Sequence, residues 1–253
     1  MKRYGSVFAL AARASFAKIV AVTLLAAILC AVLLWFAPAQ VTYDTYDENG
    51  QMIATTTYDT VSADMMVRKS FCIIPAALGF AAVTILLVCI GTGKGVQPGY
   101  TVMRLRVKPW AVTALWSLYN CIMVLFYRAM IALAIYGVIG YRIRDVGKQA
   151  LLLASYGNSF LHNLLPLRDV TAWLLLVFLT LLVGVGCAMN AAKFWRENSK
   201  TGTAAYVSIS FTVICMNIPM GSVAAYIFIF ASVAIIGIQI YQAFGGDEDE
   251  TAQ

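Results

Sequence analysis

The sequence predicts an all-α integral membrane protein with six transmembrane helices, and three observations predict it. Apolar residues make up 61% of the 253 positions and charged residues only 12%. Soluble domains carry about 45–50% and about 25%, so half the usual charge is left to cover a surface of this size. The mean hydropathy of +0.80 agrees. Apolar runs near twenty residues long recur, the length a helix needs to cross about 30 Å of hydrocarbon at about 1.5 Å per residue. None of the runs alternates in and out as membrane-barrel strands do.

Residues 1–18 are amphipathic. Tyr4, Val7, Phe8 and Ala11 follow helical spacing, while Lys2, Arg3, Arg13 and Lys18 supply charge. An elbow helix lying on an anionic inner leaflet is expected there. The first apolar run, 19–37, is closed by Pro38. Its basic start and Ala37-Pro38-Ala39 end mimic a signal peptide, but the run is too long for a typical apolar signal core and reads as a span. The second run, 71–90, ends at Gly91, Gly93 and Gly95. The third, 110–139, is long enough that it must tilt or project. The fourth is 170–192. The fifth, 203–220, is short and carries Asn217 and Pro219, and the sixth is 222–244.

Lys and Arg in the short loops orient such a chain. Six spans put Lys2, Arg3, Arg13, Lys18, Lys94, Arg104, Arg106, Lys108, Lys193, Arg196 and Lys200 on one side. Arg68, Lys69, Arg142, Arg144, Lys148 and Arg168 fall on the other. Eleven against six makes the first side cytoplasmic, and both termini with it. The six cysteines, Cys30, Cys72, Cys89, Cys121, Cys187 and Cys215, all lie in apolar runs with no C-x-x-C. They read as small buried hydrophobes, not as metal or disulfide partners.

Outside the membrane, segment 39–69 holds Asn49-Gly50 between Thr- and Tyr-rich runs. Asn-Gly at that place signals a β-hairpin, because both central turn residues need positive φ. The hairpin closes the loop, or serves as a lid or partner contact; loop closure is the simpler reading. Segment 141–169 is apolar but broken by Tyr156, Gly157, Asn158 and Ser159, so it is expected to lie in the interface or to re-enter partway. It holds His162, the single histidine, three residues from Ser159. No carboxylate is spaced to orient the ring and no G-x-S-x-G elbow is present, so a hydrolase reading is rejected.

The loop 97–109 reads Q-P-G-Y-T-V-M-R-L-R-V-K-P. Tyr100, Met103 and Val107 fall at i, i+3 and i+7 beside Arg104, Arg106 and Lys108. A short basic helix with an apolar face is expected, suited to lipid headgroups or to a cytoplasmic partner. Gly91-Thr-Gly-Lys-Gly is not a P-loop: Val88 stands six before Lys94, and Gly95 replaces the hydroxyl residue. No H-E-x-x-H occurs, and no Asp or Glu falls within the six runs. Coupling through a buried acid is therefore unsupported. No enzyme activity, cofactor, metal or nucleic-acid partner is expected of this chain.

One charge does fall in a run: Arg128, of L-F-Y-R-A-M-I in the third. A buried arginine costs several kcal/mol unless it snorkels or finds a partner. It either snorkels or pairs structurally, or it serves a substrate or lipid headgroup. Asn120, Asn190, Asn217 and Gln239 are the other strongly polar residues of the runs; such groups commonly glue helix to helix. Asn120, Arg128 and Asn217 are the candidates for a translocation path.

Together, the surface elbow, six spans with both ends inside, and Tyr100-Thr-Val-Met-Arg-Leu-Arg-Val-Lys-Pro-Trp-Ala-Val leading into the third span resemble the permease subunits of ABC-2-type exporters. Length and layout are similar to the lantibiotic-immunity and bacteriocin-type permeases of that group. The resemblance implies a multi-pass subunit of the bacterial plasma membrane without catalysis of its own. It would pair with an identical or sister permease, contact membrane lipids and bind two ATP-binding-cassette ATPase subunits, which hold ATP and magnesium. It implies that 97–109 is the coupling helix, with Tyr100, Met103, Arg104, Arg106 and Val107 against the ATPase and Arg196 in a secondary contact. A reading of a different class is a non-transporting membrane scaffold or sensor that presents the outer hairpin.

Overall fold

The computed structural model describes residues 2–38, 40–46, 52–61, 63–91, 107–142, 153, 155–166, 169–197 and 223–249. Helix α1 runs without a break from Lys2 to Phe36. Nothing between Gly5 and Pro38 interrupts its run of good helix formers, so the amphipathic start does not form a separate elbow. At about 1.5 Å per residue α1 is roughly 50 Å long, well beyond the hydrocarbon thickness. The amphipathic face is used for packing: Val7, Ala11 and Ile19 are fully buried.

Strands β1 (Gln40–Tyr46) and β2 (Met52–Val61) follow and pair antiparallel, Val41 opposite Tyr58 and Asp44 opposite Thr55. The Asn49-Gly50 turn lies outside the described residues. Helix α2 (Ala63–Ser70) then meets α3 (Ile73–Val88) at a bend of 62°. The joint is built from Phe71, whose φ is +53°, and from Ser70. Ser70 Oγ donates to the Val67 carbonyl at 2.9 Å and accepts from the Cys72 N–H at 3.3 Å. Pro75 fits in the first turn of α3, where a missing N–H leaves no intrahelical bond unmade. A short 3-10 turn, Cys89–Gly91, ends this arm.

Helix α4 (Pro109–Arg142) opens with proline at its first position, where its fixed φ suits helix entry. The Lys108 carbonyl accepts from the Ala111 and Val112 N–H groups at 3.0 and 3.3 Å. Helix α5 (Ser159–Leu164) is one short interfacial turn-and-a-half. Helices α6 (Val170–Glu197) and α7 (Val223–Asp249) complete the described fold.

The expected count of six spans is overturned. Among the described residues, four helices are long and apolar enough to cross a membrane: Tyr4–Phe36, Trp110–Arg142, Val170–Ala191 and Val223–Tyr241. The bent pair α2–α3 makes a fifth if counted as one span. Run 71–90 falls short because the Phe71–Cys72 joint trims its start and the 3-10 turn Cys89–Gly91 its end, leaving α3 with 16 residues. The expected fifth run, 203–220, lies outside the described residues. The placement of both termini on one side rested on six spans and goes with that count.

Helix α4 is central, with α1 on one flank and α6 on the other; α3 leans on α1, and α7 touches the body through α6. One continuous core joins α1, α3, α4 and α6, with Trp116, Tyr119, Phe80 and Ile131 among its largest buried side chains. A smaller cluster joins Leu175, Leu179 and Leu182 of α6 to Phe228, Ile229, Ile235 and Ile236 beside them. Lipid tails are as apolar as leucine, so close packing and interhelical hydrogen bonds hold such a bundle more than apolar transfer does. Two glycines permit that packing. A Cβ on Gly79 would lie 2.6 Å from Ala26 Cβ and from the Tyr127 hydroxyl, and one on Gly184 would run into Cys121 Sγ.

The two ends of the bundle are distinct. At one end Ser15 of α1 shares a hydrogen bond with the Tyr119 hydroxyl of α4 at 2.9 Å, and Phe8 meets the same ring edge-on. At the other end Arg142 reaches from α4 to the last carbonyls of α1, and Trp35 stacks on Tyr141 with centroids 5.5 Å apart. Stacked aromatics beside a cation suit a membrane–water interface. Helices α2 and α5 and the start of α6 gather at this second end.

Candidate functional site

Helix α5 is too short to stand alone and is held from three sides. Asn158 caps it: Oδ1 accepts from the Phe160 and Leu161 N–H groups at 3.0 and 3.3 Å. The Asn158 amide Nδ2 donates to Asp64 Oδ1 of α2 at 2.8 Å. From α4, the Tyr136 hydroxyl donates to the Leu161 carbonyl at 3.1 Å. The third tie is His162, fully buried, whose Nε2 lies 3.2 Å from Asp169 Oδ2. Asp169 in turn caps α6, Oδ1 accepting from Thr171 and Ala172 N–H at 2.9 and 3.2 Å. The expectation that no carboxylate orients the ring is thus corrected. The chain returns through buried Pro166, so a residue seven positions on reaches back to the imidazole.

Beneath α5 lies a cavity of about 30 Å³. Arg128 of α4 forms its floor and is only 7% exposed. Phe160, Asn163 and Leu164 of α5 form its roof. Its wall is Ala172, Leu175, Leu176 and Leu179, the i, i+3, i+4 and i+7 stripe of α6. Arg128 stands fourteen residues before Arg142, about 21 Å along the helix. It is therefore held within the apolar length of α4 beside a cavity, under an interfacial helix. One cation and one amide over an apolar wall recognise a molecule with a small polar end and an apolar body.

Asn120 is placed otherwise. It is fully buried, and its Nδ2 donates to the Gly184 carbonyl of α6 at 3.2 Å. Cys121 Sγ contacts the Thr180 carbonyl in the same seam. Asn120 joins two helices and does not line the cavity; among the described residues its Oδ1 accepts no hydrogen bond. Asn217 lies outside the described residues, as do Tyr100, Met103, Arg104 and Arg106. Val107 is half-buried at the foot of α4, packed against the main core. Arg196 sits in the last turns of α6, its side chain outside the described part. Of the two described translocation-path candidates, Asn120 and Arg128, Arg128 lines the cavity and Asn120 does not. Asn163 and the His162–Asp169 tie are additions that no motif announced.

No protein-family model matches the chain, and neither a curated protein nor a solved structure does.

Proposed function

We propose that this chain is the membrane-spanning subunit of an ATP-binding-cassette exporter in the bacterial plasma membrane. It would move an amphiphilic cargo through the region between α4, α5 and α6. The observation that carries the reading is the Arg128 cavity: a cation kept within an apolar length of helix beside space lined for a ligand.

The engine would be a separate protein. The sequence has no nucleotide motif and no carboxylate within its apolar runs, so neither hydrolysis nor proton coupling within the chain supplies the drive. The end of the bundle holding Arg13, Lys18 and the start of α4 would face the cytoplasm, in keeping with its positive charge. Segment 97–109 enters α4 at that end, and the subunit would receive the ATPase through Tyr100, Met103, Arg104, Arg106 and Val107, with Arg196 nearby. Movement of that segment would be passed along α4 to Arg128.

Co-expression with the ATP-binding-cassette ATPase encoded beside the chain tests this. The two co-purify, and the double variant Arg104→Glu/Arg106→Glu, still folded and inserted, loses the ATPase. Unchanged assembly and ATP turnover in that variant would remove the coupling role.

A further inference from the structure

We infer that the cavity between α4, α5 and α6 binds an anionic amphiphile, an acyl chain ended by one small acidic group. The inference names a substrate class for the transport role above and rests on that reading for its purpose, though binding itself needs no ATPase.

Charge selects the anion. Arg128 gives the cavity a positive floor, and among the described residues the rest of the lining contributes no carboxylate. A buried guanidinium attracts an anion far more strongly than it would in water, because the surroundings screen so little. Its planar fork of donors fits a carboxylate or a phosphate monoester through two parallel hydrogen bonds. Asn163, across the cavity on α5, adds an amide for a remaining oxygen.

Size and lining select the rest. About 30 Å³ admits a group the size of a carboxylate. The α6 stripe through Leu176 and Leu179 offers the tail an apolar track. Around the same helix Leu174, Val177 and Leu181 face outward, each at least 40% exposed. The track is thus one helix-width from the lipid-facing surface, and a tail leaving the cavity meets hydrocarbon. A cationic amphiphile would be repelled by Arg128, and a free anion would forgo the apolar contacts.

The test uses the purified full chain in neutral phosphatidylcholine nanodiscs and a photoreactive stearic acid, with crosslinks mapped by mass spectrometry. Labels are expected within 160–179. Oleate and dodecyl phosphate compete; methyl oleate, acetate and inorganic phosphate do not. Arg128→Gln lowers labelling about tenfold or more, as expected for loss of a charge-assisted pair, and Arg128→Lys retains part of it. Leu176→Trp fills the cavity without touching the charge and also lowers labelling, which keeps the test decisive if Arg128→Gln fails to fold. Equal competition by methyl oleate, or wild-type labelling of both Leu176→Trp and a folded Arg128→Gln, overturns the inference. Competition by inorganic phosphate or acetate as strong as by oleate overturns the amphiphile in favour of a free anion. If labelling obeys these rules while no ATPase assembles, the site stands and the exporter reading falls; the converse result separates them the other way.

Discussion

Asn158 donates to Asp64 at 2.8 Å, and with that bond the segment after the hairpin is tied to the roof of the cavity. The same Asn158 caps α5 with its other amide atom. Its two jobs separate by mutation. Asn158→Ala loses the cap, worth about 1 kcal/mol, together with the link to α2. Asp64→Ala loses the link and leaves the cap. Hydrogen exchange across 159–164 is expected to quicken in both, and more in Asn158→Ala. Equal protection in all three proteins would show that Tyr136 and His162 suffice to hold the roof.

Arg142 closes the C-terminal end of α1. Its guanidinium donates to the Ala37 carbonyl at 2.7 Å and the Leu34 carbonyl at 3.3 Å, satisfying acceptors that a helix end leaves over. Hydrogen bonds from a charged donor contribute about 1.5–3 kcal/mol each at most, and less where water competes. Arg142→Ala should lower the unfolding temperature in detergent, with Arg142→Lys between it and wild type. An unchanged transition in Arg142→Ala would mean that lipid or solvent replaces the bond.

The glycines test how closely the helices approach. Gly184→Ala places a methyl against Cys121 and the Ser117 backbone oxygen, and Gly79→Ala places one between Ala26 and Tyr127. Overpacking of this kind costs about 1–3 kcal/mol. Gly137 has nothing within 4 Å of such a methyl. Thermal unfolding should therefore fall for the first two and hold or rise slightly for Gly137→Ala.

The α2–α3 joint makes a backbone test. Phe71 takes a left-handed conformation that costs an ordinary residue about 1–2 kcal/mol. A β-branched residue fits it worst and glycine best. Phe71→Val should be less stable than Phe71→Gly despite its larger apolar side chain. The opposite order, read from unfolding midpoints, would mean that apolar contact of the valine side chain outweighs the backbone term.

The helices long and apolar enough to cross a membrane were legible because length and apolar content announce them: runs 19–37, 110–139, 170–192 and 222–244 all lie within or nearly coincide with α1, α4, α6 and α7. The second run misled because its break is built of Phe71 and Cys72, apolar residues that leave no mark in composition. The elbow misled for a related reason. An amphipathic start predicts a surface helix, but α4 supplies a partner for its apolar face, and with no Gly or Pro between Gly5 and Pro38 the chain had no cause to bend. At the site Arg128 was visible as the single charge in a run. Asn163 was not, because its role depends on α5 folding back over α4. Asp169 was missed because it caps α6 and reaches His162 of α5 from a separate element beyond Pro166, a contact between elements that no spacing within one helix announces.

ATP turnover by the co-reconstituted complex tests the central claim most directly. In neutral vesicles holding this chain and its neighbouring ATPase, oleate is expected to raise hydrolysis, while methyl oleate does not and a folded Arg128→Gln complex fails to respond. Hydrolysis that ignores oleate, or that responds equally with Arg128→Gln, would contradict an exporter subunit that takes its cargo at Arg128.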